Sequence, residues 1–124
     1  MPRILLIDDD DAFRTMLRLT LTHFGHAVTE ARNGKEGLKI YAAAGTDLVI
    51  TDIVMPEKEG LEVLMALWQR QPPVKVIAMS GGGRVSAATY LQSATLLGAA
   101  RVLEKPFSND DLLTAIDEVL ASGN

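Results

Sequence analysis

The chain has 124 residues, of which 48% are hydrophobic, and a net charge of −4. This length and apolar content predict a single domain over residues 1–124. The 12 lysines and arginines are scattered along an acidic chain, which argues against direct binding of nucleic acid. There is no cysteine, so disulfides and thiolate metal sites are excluded. The sequence shows neither a membrane-spanning apolar run nor a secretory signal, so we expect a cytoplasmic protein without a membrane partner.

Five short apolar runs of strand length recur along the chain, and each is followed by a longer segment with helical periodicity. The predicted strands are residues 3–7, 27–31, 47–51, 74–79 and 100–103. The first, third and fourth runs are almost continuously apolar, which is typical of a parallel sheet covered by helices on both faces. The sequence therefore predicts a doubly wound α/β domain of five strands and five helices.

The first predicted helix follows a run of four aspartates at positions 8–11. The carboxylates of Asp10 and Asp11 are expected at the start of this helix, where they meet the positive end of its dipole. Helical spacing predicts a buried face formed by Phe13, Met16, Leu17, Thr20, Leu21 and Phe24. Gly25 is the predicted end of the helix.

Polar side chains stand at the carboxyl ends of four of the predicted strands. They are Asp8, Asp9, Asp52, Ser80 and Lys105. Ligands of doubly wound sheets bind beyond the carboxyl ends of the strands, near the point where the strand order reverses. We therefore expect these side chains to converge in one cleft.

Three carboxylates in one cleft raise one another's pKa unless a cation lies between them. A Mg²⁺ ion prefers oxygen ligands and keeps part of its coordination shell for water or phosphate oxygens. Formal charges of −3 from Asp8, Asp9 and Asp52, +2 from the ion and +1 from Lys105 then sum to zero. Such a cleft is suited to phosphoryl transfer, in which an aspartate can act as the nucleophile.

The ordered set of motifs resembles the receiver domain of two-component response regulators over essentially the whole chain. The motifs are Ile7-Asp8-Asp9, Thr51-Asp52-Ile53-Val54-Met55-Pro56, Met79-Ser80-Gly81 and Glu104-Lys105-Pro106-Phe107. The resemblance implies a flavodoxin-like three-layer sandwich of the (βα)5 type, with a parallel sheet in the strand order 2-1-3-4-5.

The resemblance also implies the role of each site residue. Asp52 would be the phosphoacceptor. The direct ligands of Mg²⁺, or of Mn²⁺ in its place, would be Asp9, Asp52 and the backbone carbonyl of Val54, with Asp8 acting through water. Ser80 and Lys105 would contact the phosphoryl oxygens, and the peptide bond between Lys105 and Pro106 would be cis.

The partners that the resemblance implies are a sensor histidine kinase or a histidine phosphotransfer protein, and a downstream protein or output domain. A homodimer through the predicted fourth helix, fifth strand and fifth helix is a further expectation. The domain is expected not to be an enzyme beyond its own phosphorylation and slow dephosphorylation.

The expected switch region departs from the family pattern. Val102 stands where the family often has an aromatic residue, so a rotamer switch of an aromatic ring cannot operate there. Gly81, Gly82 and Gly83 lengthen the segment between Ser80 and Lys105. Because glycine increases backbone freedom, we predict that residues 81–88 are mobile and become ordered on phosphorylation.

Three other functions are weaker interpretations of the same residues. Asp8 and Asp10 have the spacing of an aspartyl phosphohydrolase, but the chain has no room for a substrate cap and that motif leaves Asp52 unexplained. An interaction domain that works without phosphorylation does not need the intact acidic set. An FMN-binding protein would need a loop of hydroxyls and glycines after the first strand.

Overall fold

The computed structural model describes residues 2–52, 59–69, 74–80 and 99–121. The strands are β1 (Arg3–Ile7), β2 (Ala27–Ala31), β3 (Leu48–Asp52), β4 (Val76–Ser80) and β5 (Arg101–Glu104). The helices are α1 (Asp11–His23), α2 (Gly34–Ala44), α3 (Glu59–Trp68) and the C-terminal helix (Asn109–Ala121). The predicted fourth helix, the backbone carbonyl of Val54 and the glycines at positions 81–83 lie outside the described residues.

All five strands are parallel, in the order β2-β1-β3-β4-β5, which confirms the predicted fold. Each face of the sheet carries its own apolar cluster. On one face, side chains such as Leu5 and Val49 pack with α2 and α3, and on the other, Leu6 and Ile50 pack with α1 and the C-terminal helix. The molecule is therefore a three-layer sandwich. None of the helices in the described ranges has the length and apolar content needed to cross a bilayer.

Three strands are displaced along the chain from their predicted positions. The strands expected at 47–51, 74–79 and 100–103 are observed at Leu48–Asp52, Val76–Ser80 and Arg101–Glu104. Asp52 and Ser80 are thus the last residues of their strands, not the first residues beyond them. The cause is parallel pairing, because Asp52 lies opposite Met79 and Ser80 lies opposite Glu104. Both polar residues are consequently held by the sheet itself.

The buried face of α1 also differs from the predicted one. Leu17 and Leu21 are buried as expected, but Met16 and Phe24 are about half exposed. Arg14, which the apolar pattern did not include, takes an inward position and is 8% exposed. The helix is therefore rotated so that a cation, and not a methionine, faces the sheet.

Gly37 in α2 lies directly on β1. A Cβ atom at this position would stand 2.8 Å from Cγ1 of Ile7 and nearer still to its Cδ1. Since Ile7 is fully buried, its side chain has little room to move away. The glycine therefore permits a close approach of helix and sheet just before Asp8.

We expect Gly37→Ala to lower the free energy of unfolding by about 1–3 kcal/mol through overpacking, although alanine is the better helix former. Chemical denaturation measures this change. In an Ile7→Val background, which lacks Cδ1, the same substitution should cost less. A Gly37→Ala protein as stable as the parent would contradict the close packing described.

Candidate functional site

The predicted site residues meet at the carboxyl edge of the sheet. Carboxylate oxygens of Asp8, Asp9 and Asp52 lie within 4.8 Å of one another. The ammonium Nζ of Lys105 donates to Oδ2 of Asp8 at 2.9 Å and to Oδ2 of Asp52 at 3.2 Å. Asp8 and Asp52 are buried, whereas Asp9 is exposed. Solvent therefore reaches the cluster at Asp9, whereas Asp8 and Asp52 are shielded from it.

Asp8 is held from three directions. Its backbone N–H donates to the carbonyl of Ala31 at 3.2 Å, which extends the pairing of β1 with β2 by one residue. Its Oδ1 accepts the backbone N–H of Asp10 at 2.9 Å, and its carbonyl accepts a hydrogen bond from Arg14 at 2.7 Å. The direction of the acidic turn is therefore fixed by backbone and side-chain contacts together.

Lys105 is tied to the end of β4. Its backbone N–H donates to the carbonyl of Ser80 at 2.7 Å, and the Lys105–Pro106 peptide bond is cis. Ser80 is fully buried. Because Asp52 lies opposite Met79 in the ladder, Ser80 is one residue further along the neighbouring strand. The hydroxyl, the lysine and the aspartate thus belong to adjoining strand ends.

The acidic run divides as predicted into a cluster half and a helix-start half. Asp10 is the N-cap of α1, and its Oδ1 accepts the backbone N–H of Phe13 at 3.0 Å. Asp11 lies in the first turn of the same helix and pairs with Arg14 at 2.7 Å. Neither residue belongs to the group of carboxylates around Asp52.

Two residues of α1 that were not among the predicted site residues also contact the site. The guanidinium of Arg14 donates to Asp8, Asp11 and Glu30, the last at 3.0 Å. Burial by itself lowers the pKa of Arg14, but hydrogen bonds and charges of Asp11 and Glu30 outweigh it and raise the pKa. The other residue is Phe13, whose ring lies against Lys105. The sequence signal that both share is their position in the first turn of the helix that follows the acidic run.

The charges of the cluster are not fully balanced. Although Asp9 is exposed overall, partial desolvation of its carboxylate and the neighbouring charge of Asp8 raise the pKa of Asp9 above its ordinary value. Burial lowers the pKa of Lys105, but contacts with Asp8 and Asp52 outweigh it and the pKa is raised overall. Lys105 is therefore protonated at neutral pH, and the charge of Asp9 is still repelled by the charge of Asp8.

The donor set fits a hard divalent cation. The cluster offers only carboxylate oxygens, which Mg²⁺ and Mn²⁺ prefer to nitrogen or sulfur. Lys105 contacts Oδ2 of Asp8 and of Asp52, and each carboxylate has about four lone-pair sites, so these contacts are compatible with metal binding to the same groups. The exposed position of Asp9 leaves room for water on the solvent side. Of the predicted ligands, Val54 lies outside the described residues.

Val102 is the one predicted switch residue that the structure describes. It is partly buried in β5 and packs against the apolar cluster that contains Leu5 and Val49. A branched aliphatic side chain in this place fills part of the core beside β4. Its role in switching remains a prediction.

We expect Arg14→Met to lower the free energy of unfolding by about 1–3 kcal/mol, because the carbonyl of Asp8 loses its charged donor. Arg18→Met is the matched control, since Arg18 also pairs with Glu30, at 2.9 Å, but is more exposed. Its cost should stay below about 1 kcal/mol. Chemical denaturation compares the two variants, and equal losses would refute a special role for Arg14.

We expect Mg²⁺ affinity to fall as the pH is lowered, and to begin falling at a higher pH than for an ordinary carboxylate. The reason is that protons compete with the ion for Asp9, whose pKa is raised. Isothermal titration calorimetry at several pH values measures the affinity. Asp9→Asn should bind weakly at every pH, and Asp117→Asn, on the exposed face of the C-terminal helix, should bind like the parent. Unchanged binding in Asp9→Asn would contradict the site.

Comparison with known proteins agrees with this geometry. The family model described as the response regulator receiver domain matches residues 4–117. The chain is 36% identical over 117 residues to the transcriptional regulatory protein GlrR of Escherichia coli, covering 94% of this chain and 26% of that protein. It therefore spans about a quarter of the length of that relative.

Two further proteins match over nearly their whole length. The chemotaxis protein CheY of Listeria monocytogenes is 34% identical over 119 residues, covering 95% of this chain and 98% of that protein. The crystal structure of a response regulator receiver domain protein from Clostridium thermocellum has a TM-score of 0.87 at 30% identity, covering 97% of this chain and 94% of the other. The sequence matches and the structural match identify the same family, and the chain belongs to the family of response regulator receiver domains.

Proposed function

We propose that Asp52 accepts a phosphoryl group from a phosphohistidine of a partner protein, in a reaction that depends on Mg²⁺. A carboxylate oxygen of Asp52 attacks phosphorus, the new O–P bond forms as the P–N bond breaks, and the electron pair of the P–N bond stays on the imidazole. The ring leaves neutral because its other nitrogen carries a proton. The observation that carries this proposal is the contact of Lys105 with Asp52 at the end of a buried central strand.

The contacts of the three aspartates separate their roles. Asp8 has both oxygens engaged, Oδ1 by the N–H of Asp10 and Oδ2 by Lys105. This favours holding metal-bound water over nucleophilic attack. Asp9 is exposed at the edge of the cluster and is suited to direct metal binding. Asp52, fixed by the ladder opposite Met79, is the carboxylate best placed to react.

Lys105 and Ser80 would stabilise the transferred group. The ammonium already lies 3.2 Å from Asp52, so it can contact a phosphoryl oxygen placed on that carboxylate. Ser80 ends the strand next to β3 and can donate from its hydroxyl. Asp9 and Asp52 would hold Mg²⁺, or Mn²⁺ in its place, with Asp8 acting through water. The bound ion supplies charge neutralisation for the phosphoryl oxygens.

The phosphoryl group would come from a sensor histidine kinase or a histidine phosphotransfer protein in the cytoplasm. Receiver domains of response regulators interact with kinases and with output domains, and this chain belongs to that family. The added charge would act first on Ser80 and Lys105, which adjoin β5 and the C-terminal helix. That surface is proposed to contact a downstream protein, an output domain or a second copy. The domain would act as a switch and not as an enzyme with multiple turnovers.

We expect one phosphoryl group to be added when the protein is incubated with Mg²⁺ and a small phosphodonor such as acetyl phosphate. Intact mass spectrometry measures the gain, which should be stable in acid and labile in base, as an acyl phosphate is. Asp52→Asn, which keeps the shape of the side chain, should show no gain. Asp117→Asn on the C-terminal helix should be modified like the parent.

Two outcomes would decide against this function. Retention of the full gain in Asp52→Asn would place the acceptor elsewhere. Continuous release of phosphate over many turnovers, without an accumulated modified form, would favour the phosphohydrolase interpretation.

A further inference from the structure

The ring of Phe13 covers the ammonium of Lys105. The distance from Nζ to the ring centroid is 4.0 Å, well inside the range of cation–π attraction, which extends to about 6 Å. The lysine side chain is only 16% exposed. The ammonium therefore touches an aromatic face in addition to the two carboxylates, and the ring excludes water from part of its surface.

Phe13 is itself fixed by two contacts. Its backbone N–H donates to Oδ1 of Asp10, the N-cap of α1. Its ring meets the ring of Phe107 edge to face, with centroids 6.0 Å apart and an angle of 86° between the planes. Phe107 follows Lys105 by two residues, so this aromatic pair ties the start of α1 to the segment beyond β5.

These contacts form a closed ring of four residues. Oδ1 of Asp8 accepts the N–H of Asp10, Oδ1 of Asp10 accepts the N–H of Phe13, and the ring of Phe13 meets Lys105. Lys105 then donates back to Oδ2 of Asp8. The position of the ammonium is therefore coupled to the same turn that carries the proposed metal ligands.

A lysine needs such support because its ammonium is strongly hydrated and its stem is flexible. The two carboxylates alone do not hold the ammonium in place throughout the reaction. When Asp52 is phosphorylated, its negative charge is carried by the phosphoryl oxygens, which lie further out than the original carboxylate oxygens. The attraction to the ring does not change with the state of Asp52. Exclusion of water by the ring also strengthens the attraction between the ammonium and anionic oxygens.

We propose that Phe13 is a positioning residue for phosphoryl transfer, holding the ammonium of Lys105 where it meets the incoming phosphoryl group. This inference rests on the proposed function of Asp52. It predicts that the aromatic ring, and not merely an apolar side chain, is required at position 13.

The first test compares rates of phosphorylation by acetyl phosphate in the presence of saturating Mg²⁺. Phe13→Leu should react about 10-fold more slowly, corresponding to about 1.4 kcal/mol in the barrier. Phe13→Tyr keeps the ring and should stay within about 2-fold of the parent. Leu19→Ala, which removes an exposed apolar side chain from the same helix, is the control and should react like the parent. Equal rates for Phe13→Leu and Phe13→Tyr would overturn the proposal.

A double-mutant cycle separates positioning of the lysine from a general structural role. In a Lys105→Met background, which has no ammonium, Phe13→Leu should cause no further loss of rate. A full 10-fold loss in that background would overturn the proposal, because the ring would then act without the ammonium.

A second measurement does not depend on phosphorylation. Nuclear magnetic relaxation at the ε carbon of Lys105 reports the order of its side chain. The order should fall in Phe13→Leu and be restored in Phe13→Tyr, and unchanged order in Phe13→Leu would overturn the proposal even if the double variant is too slow to measure. If the parent protein takes no phosphoryl group, the function proposed for Asp52 fails, while the relaxation data still decide whether Phe13 orders the lysine.

Discussion

The contact of one ammonium with two buried carboxylates determines how this edge of the sheet is organised. Asp8 is fully buried, and an ionised carboxylate without a partner in such a place carries a large desolvation cost. Lys105 offsets that cost for Asp8 and for Asp52 at once. The first strand, the third strand and the segment after the fifth are thereby linked by a single side chain, although 97 residues separate Asp8 from Lys105.

The sheet order makes this contact possible. β1 lies beside β3, and β3 lies beside β4, so the ends of these strands stand next to one another at the same edge. The ladder carries Asp52 and Ser80 as its last paired residues, which leaves them less freedom than loop residues would have. Backbone pairing therefore fixes the positions of Asp52 and Ser80, and the contacts of Lys105 set how the charged groups are arranged around them.

The pattern of apolar runs followed by polar residues predicted a parallel sheet covered by helices and the residues of the acidic cluster, because that pattern depends only on local order. The order of the strands was implied by the resemblance to receiver domains. The apolar pattern placed the ends of β3 and β4 one residue too early, since pairing with a neighbouring strand is a tertiary effect. It also assigned Met16 to the interior and overlooked Arg14. A buried arginine is recognised only when its acceptors, which come from the acidic turn and from β2, are known in space.

Arg14 and Lys105, two cations beside the cluster, contact different groups. Arg14 donates to the carbonyl of Asp8 and to the carboxylates of Asp11 and Glu30, so these hydrogen bonds go to groups other than the three clustered carboxylates. Among the described residues, Lys105 is the cation that pairs with Asp8 and Asp52, and its single charge leaves two negative charges in the cluster when all three aspartates are ionised. Desolvation raises the pKa of Asp9, and the neighbouring charge of Asp8 raises it further. A divalent cation would remove this excess of negative charge, and a hard cation also prefers the carboxylate oxygens that carry it.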